Sequence, residues 1–129
     1  MAEKSFKQLI STMKKLLSDK GCAWDREQTP ETLLKYMYEE ADEVSHAVKA
    51  GDWQGVKEEL GDLLLQIVFQ AELANRSGHF DIKDVVDGLN EKLVRRHPHV
   101  FAGSKAKTPE EIMAQWQRIK SEEKKDKAK

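Results

Sequence analysis

Residues 29–71 read TPETLLKYMYEEADEVSHAVKAGDWQGVKEELGDLLLQIVFQA, and the period of their apolar positions decides the fold. Thr29 followed by Pro30 has the form of a helix cap with proline at the first helical position. Leu33, Leu34, Met37, Ala41, Val44 and Val48 then continue one apolar face, which predicts a helix ending near Gly51. Asp52 is placed to cap a second helix with the stripe Val56, Leu60, Leu63, Leu64, Ile67, Val68 and Ala71, and Gly78 is its stop. So short a connection forces the two helices to run antiparallel. Leu65 and Phe69 fall on the other side of the second helix, so it is apolar on two sides and expected in the middle of a bundle. A monomeric three-helix packing would leave one of those sides wet, and the expectation is a homo-oligomer, a dimer or a dimer of dimers, that completes the bundle.

Working outward, Phe6, Leu9, Ile10, Met13, Leu16 and Leu17 repeat with helical period, and Ser5 with Gln8 has the form of a capping box. That helix should run to about Asp19 and stop before Gly21. On the C-terminal side, Asp81 can cap a helix carrying Val85, Val86, Leu89 and Leu93 up to His97, because Pro98 disfavours a helical predecessor. Thr108, Pro109 and Glu111 form a further helix start, with Ile112, Met113, Trp116 and Ile119 on its apolar face. Residues 121–129 are mostly Lys, Glu and Asp and are expected to be a disordered, solvated tail after one domain spanning residues 1–120. No segment alternates with strand period and no glycine-rich phosphate loop is present. The expected class is all-α, a bundle of about five helices.

Composition narrows the function. The 22 Lys and Arg nearly cancel the 23 Asp and Glu, so no overall field points to nucleic acid or to an anionic membrane. Residues 1–7 lack the apolar stretch of a signal peptide, and the run Leu63 to Leu65 stops at Gln66. A cytoplasmic location is therefore expected. The lone Cys22 has no zinc-type cluster around it and no motif supplies a base beside it, which favours a structural role.

The local charge is concentrated on the central hairpin. The first of its helices carries Glu39, Glu40, Asp42 and Glu43, and the second carries Glu58, Glu59 and Asp62. Residues three apart occupy neighbouring turns of one face, so Glu40 with Glu43 and Glu59 with Asp62 form two carboxylate pairs. At ~1.5 Å rise per residue, Glu43 lies ~10 Å and Glu59 ~9 Å from the turn, while Glu40 and Asp62 lie ~15 Å and ~14 Å from it. The pairs are level. On the helical wheel Tyr36, Glu40, Glu43 and Ala47 flank one apolar stripe, and Glu59, Asp62, Gln66 and Gln70 flank the other. Four converging carboxylates repel unless a cation neutralises them, and an all-oxygen set suits Mg²⁺, or Mn²⁺ in its place. A solvated acidic face is the other reading of the same residues.

Together with Gly21-Cys22-Ala23-Trp24-Asp25-Arg26-Glu27-Gln28-Thr29, Glu58-Glu59-Leu60-Gly61-Asp62-Leu63-Leu64-Leu65-Gln66 and Lys92-Leu93-Val94-Arg95-Arg96-His97-Pro98-His99-Val100-Phe101, this hairpin resembles the MazG nucleotide pyrophosphohydrolase family. The resemblance runs from the first helix to Trp116. Ala23 stands where the family usually has proline, and many relatives carry two copies of the domain where one is seen here.

The resemblance implies hydrolysis of a nucleoside triphosphate between its α and β phosphates, giving the monophosphate and pyrophosphate. It places the metal ligands on Glu40, Glu43, Glu59 and Asp62. It also implies phosphate binding by Lys92, Arg95 and Arg96, whose other role is to stabilise a helix C-terminus. Trp116 is implied near the nucleotide, packing in the core being the alternative. Glu39, beside the ligands, is the candidate for activating water, with a plain surface position as its other reading. Tyr36 shares the strip of Glu40 and Glu43 and is a candidate lining residue of the same pocket, with packing as its other reading. His97 and His99 lack further His or Cys nearby, which favours loop and capping contacts over metal ligation. A di-iron bundle is disfavoured, because neither Glu40 nor Glu59 has a histidine three residues on. The stronger rival is a non-enzymatic helical interaction module, which predicts acids that tolerate amide substitution and bind no divalent ion.

Overall fold

The computed structural model describes residues 1–128 as helices joined by short turns and loops: α1 (Ala2–Leu16), α2 (Ala23–Arg26), α3 (Leu34–Lys49), α4 (Trp53–Arg76), α5 (Ile82–Arg96), α6 (Pro98–Phe101) and α7 (Pro109–Ala128). Five of them are the helices expected from periodicity, and α2 and α6 are single turns added within expected loops. Lys129 lies outside the described residues. The chain divides into two compact units, Met1–Ile82 and Lys83–Lys129. No helix among the described residues is long and apolar enough to cross a membrane.

In the first unit, α3 and α4 form the antiparallel hairpin, and α1 also packs on α4. The turn is built as the sequence predicts. Gly51 takes a left-handed φ of 67°, and the Asp52 carboxylate accepts from Gly55 N–H at 3.0 Å to cap α4. At the far end Gly78 takes φ 77° and His79 N–H closes on the Ala74 carbonyl at 2.9 Å.

Two helix starts differ from expectation. Thr29 does cap a turn, its hydroxyl accepting from Thr32 N–H at 3.1 Å while Thr32 Oγ1 accepts from Thr29 N–H at 2.8 Å. That reciprocal box closes a separate turn over residues 29–33, and the regular helix begins only at Leu34. Ser5 is no cap, because its N–H already donates to the Met1 carbonyl inside a helix that begins at Ala2. Helix α1 also stops three residues early. The Cys22 N–H returns to the Leu16 carbonyl at 2.8 Å, and the loop folds back so tightly that a Cβ on Gly21 would overlap the carbonyl oxygens of Lys15 and Leu16.

The core of this unit is Met13, Leu17, Leu33, Val68 and Phe69, with Phe6, Leu9, Leu16, Tyr36, Leu73 and Ile82 packed around it. The stripe expected on α4 is split: Val56, Val68 and Ala71 are buried, whereas Leu60, Leu64 and Ile67 remain exposed in the single chain. On the opposite side Phe69 is buried and Leu65 is exposed.

In the second unit, α7 opens with a complete capping box. Glu111 N–H donates to Thr108 Oγ1 at 3.1 Å, and Thr108 N–H donates to the Glu111 carboxylate at 3.2 Å. The segment expected to be a disordered tail from residue 121 continues this helix to Ala128. The reason is long-range: Glu123 receives the guanidinium groups of both Arg95 and Arg96 from α5. Composition alone does not reveal that pairing.

Candidate metal centre

Three of the four expected acids of the hairpin come together. Glu40 on α3 with Glu59 and Asp62 on α4 each offer one carboxylate oxygen, all within 4.8 Å of one another. Glu40 and Glu59 are half-buried and Asp62 is exposed, as expected for acids that flank an apolar stripe. Burial pushes the Glu40 carboxyl above the usual carboxylate range, aided by its hydrogen bond with Glu59 and by the nearby charges of Asp62, Glu59 and Glu43. Glu40 Oε2 is buried and has no hydrogen-bond partner. Three carboxylates within reach of one another, with a buried and unsatisfied oxygen on Glu40, make a donor set that fits a hard divalent cation.

Glu43 is not part of that trio. It sits exposed one turn further along α3, and its link to the group is the charge it exerts on Glu40. Glu39 is also exposed on α3, outside the cluster. Tyr36 is half-buried one turn before Glu40, its ring in a T-shaped contact with Trp24 at 5.8 Å between centres and the Lys35 ammonium 4.9 Å from its centre. Trp24 is thus tied to the hairpin by an aromatic contact that loop sequence could not foretell.

The second unit holds the remaining candidates. Lys92, Arg95, Arg96, Glu123, Asp126 and Lys127 line a cavity of ≈ 320 Å³. Arg96 donates to Glu123 through Nη2 at 2.8 Å and Nε at 3.2 Å, and Arg95 through Nη2 at 3.0 Å and Nε at 3.1 Å. Glu123 was missed in the sequence because it lies in a run of like polar residues, where only its partner 27 positions away distinguishes it. The Arg96 guanidinium also lies 5.5 Å from the ring centre of Trp116, which makes a T-shaped contact with His97 at 5.1 Å between ring centres. His97 and His99 make the loop contacts expected of them. His97 Nδ1 lies 2.6 Å from the Leu93 carbonyl, and His99 Nδ1 lies 3.0 Å from the amide nitrogen of the buried Gln115.

The Glu123 pair makes a pH prediction. Its hydrogen bond from Arg96, with the charges of both arginines, holds the Glu123 carboxyl down at about 2. Because the folded value lies below the unfolded one, the stability it contributes is complete above about pH 4.5 and is lost as pH falls towards 2. Thermal melts across that window should show Glu123→Gln less stable than wild type at neutral pH, with the difference vanishing near pH 2.

Comparison with known proteins matches these elements. Residues 28–101, which contain the hairpin and the Lys92 to Phe101 segment, match the family model described as the MazG nucleotide pyrophosphohydrolase domain. The chain is 50% identical over 119 residues to the Thermotoga maritima protein named nucleoside triphosphate pyrophosphohydrolase/pyrophosphatase MazG, covering 92% of this chain and 45% of that protein. It is 44% identical over 122 residues to the Escherichia coli K12 nucleoside triphosphate pyrophosphohydrolase, covering 94% of this chain and 46% of that protein. The chain therefore spans less than half the length of these curated relatives. A crystal structure of a mazG-related protein from Thermotoga maritima superposes with a TM-score of 0.75 at 30% identity, covering 89% of this chain and 98% of that one. With the all-helical fold, the convergent carboxylates and the matched segments in agreement, the chain belongs to the MazG nucleotide pyrophosphohydrolase domain family.

Proposed function

We propose that this chain hydrolyses nucleoside triphosphates, ribo- or deoxyribo-, to the monophosphate and pyrophosphate, using Mg²⁺ at Glu40, Glu59 and Asp62, with Glu43 completing the acidic set. The observation that carries the reading is the convergence of three carboxylates from two helices, one of which, Glu40, also keeps a buried oxygen without a hydrogen-bond partner. A bound Mg²⁺, or Mn²⁺ in its place, supplies charge neutralisation for the triphosphate and activation of water. The protein's part is to fix the oxygens on the two helices of a capped hairpin, so that the donor geometry is set before the ion arrives. Glu39 is the proposed residue that orients or deprotonates the attacking water. Tyr36 is the proposed lining residue next to the carboxylates.

Lys92, Arg95 and Arg96 are the proposed phosphate-binding residues. Supporting this, the two guanidiniums already hold an oxyanion, the Glu123 carboxylate: Arg96 spans both of its oxygens, and Arg95 places Nε and Nη2 on Oε2. Trp116 is the proposed nucleotide contact.

The test incubates the protein with Mg²⁺ and a panel of nucleotides and separates pyrophosphate from orthophosphate. Pyrophosphate from wild type, and not from Asp62→Asn, is the expected result. Orthophosphate alone would indicate a phosphatase, and no metal-dependent product would favour a helical interaction module.

The working unit is proposed to be a homodimer. Leu60, Leu64 and Ile67 lie at helical spacing on one exposed face of α4, an apolar row that a second copy would cover. Light scattering should find a dimer for wild type and a monomer for Leu64→Glu. A monomeric wild type at high concentration would contradict this.

A further inference from the structure

A second enclosed oxygen stands without a donor beside the metal centre. Gln66 is 8% exposed and its Oε1, like Glu40 Oε2, has no hydrogen-bond partner. A carboxamide oxygen so enclosed disfavours the folded state unless a donor reaches it. Its place on α4 is not arbitrary. At ~100° per residue Gln66 falls within ~20° of Glu59 and ~40° of Asp62, about 6 Å beyond Asp62 along the helix axis. Because α3 runs antiparallel, that step leads towards Tyr36, which stands four residues before Glu40. The next residue on the strip is already engaged: Gln70 Nε2 donates to the Pro30 carbonyl at 3.0 Å and lies 3.7 Å from Met37 Sδ. One face of α4 thus carries carboxylates for a cation, then an acceptor lacking a donor, then a satisfied amide that ties the strip to the turn before α3.

We propose that Gln66 is a further substrate-binding residue, its Oε1 accepting a hydrogen bond from a hydroxyl or N–H of the nucleoside. This rests on the functional reading above. Phosphate oxygens ionised at neutral pH bring no proton to donate, whereas sugar hydroxyls and base N–H groups do. A displacement of about one helical turn from the carboxylates is also on the scale that separates the reacting phosphorus from the sugar and base. An acceptor buried on a helix discriminates against analogues that lack the donor, so Gln66 contributes selectivity as well as affinity.

Gln66→Met keeps the side-chain volume and deletes the acceptor. Binding of three probes is compared between wild type and variant: Mn²⁺ alone, Mn²⁺ with inorganic tripolyphosphate, and Mn²⁺ with the α,β-methylene analogue of a nucleotide that the wild type hydrolyses. The expected result is about ten- to a hundredfold weaker binding of the nucleotide analogue, with Mn²⁺ and tripolyphosphate unchanged. The free variant should remain folded, its melting curve close to that of wild type, because Oε1 has no partner to lose. Unchanged nucleotide binding overturns the proposal, and so does an equal loss of Mn²⁺, which would assign the oxygen to a metal-bound water. If Gln66→Met and Gln66→Leu both fail to fold, the proposal is also overturned, since the carboxamide is then held by the fold and not kept for the nucleoside. A wild type that binds Mn²⁺ and tripolyphosphate but no nucleotide overturns the functional reading and this inference together, and is recognised by failure of the wild type.

Discussion

Replacing Glu40 by glutamine is expected to lower pyrophosphate release on the order of 10³-fold while making the metal-free protein more stable at neutral pH. The two effects have one cause. Glu40 is half-buried, and burial, the hydrogen bond with Glu59 and the charge of Asp62 all raise its carboxyl above the usual range. A carboxyl whose folded value is raised binds its proton more tightly when folded. The stability it contributes is present below the unfolded value and is lost as pH rises through the folded one. The ionised group therefore opposes folding near pH 7 unless a cation offsets it, and the amide removes that opposition together with the ligand charge. Melting curves of wild type and Glu40→Gln in chelator should cross as pH rises, with the variant higher at neutral pH. Added Mg²⁺ should raise the wild type and leave the variant nearly unmoved. A variant that melts lower than wild type in chelator at neutral pH would show that the carboxylate is an ordinary structural acid.

Phe69→Ala should be the most damaging core change, costing about 3–5 kcal/mol. Phe69 is 3% exposed and belongs with Met13, Leu17, Leu33 and Val68 to the buried centre of the first unit. So few fully buried side chains leave little to compensate for the loss. For a chain of 129 residues the cost corresponds to a fall in Tm of roughly 10–20 °C. Denaturant unfolding should show a lower midpoint with an unchanged slope. Phe69 shares α4 with Asp62 and Gln66, so the same variant should bind Mn²⁺ more weakly wherever it is partly unfolded, and normally where ligand restores the fold. Leu64→Ala, by contrast, should change the melting point of a single chain little, because Leu64 is exposed there.

The parts legible in sequence were those written in local patterns. The Asp52 cap, the glycine stops at Gly51 and Gly78, the Thr108 box and the level meeting of Glu40 with Asp62 follow from spacings of a few residues and the rise of a helix. What escaped depends on distant partners. Glu123 orders the end of α7 only because Arg95 and Arg96 stand opposite, and Gln66 is distinguished from other glutamines by its burial. The apolar stripe of α4 was visible, but the split between Phe69 inside and Leu60, Leu64 and Ile67 outside depends on where α1 packs. Glu43 shows the limit of rise and wheel position: both place it with Glu40 and Glu59, yet its side chain stays exposed outside the trio. The chemistry itself came from the matched segments, since convergent acids specify an ion and not a reaction.

The claim on which the rest depends is that these helices hold a divalent cation. Titration of the wild-type protein with Mn²⁺, following free ion by electron paramagnetic resonance, tests it most directly. The prediction is saturable binding at neutral pH that is lost in Glu40→Gln and competed by Mg²⁺. Equal Mn²⁺ binding by wild type and Glu40→Gln, or none by either, would contradict it.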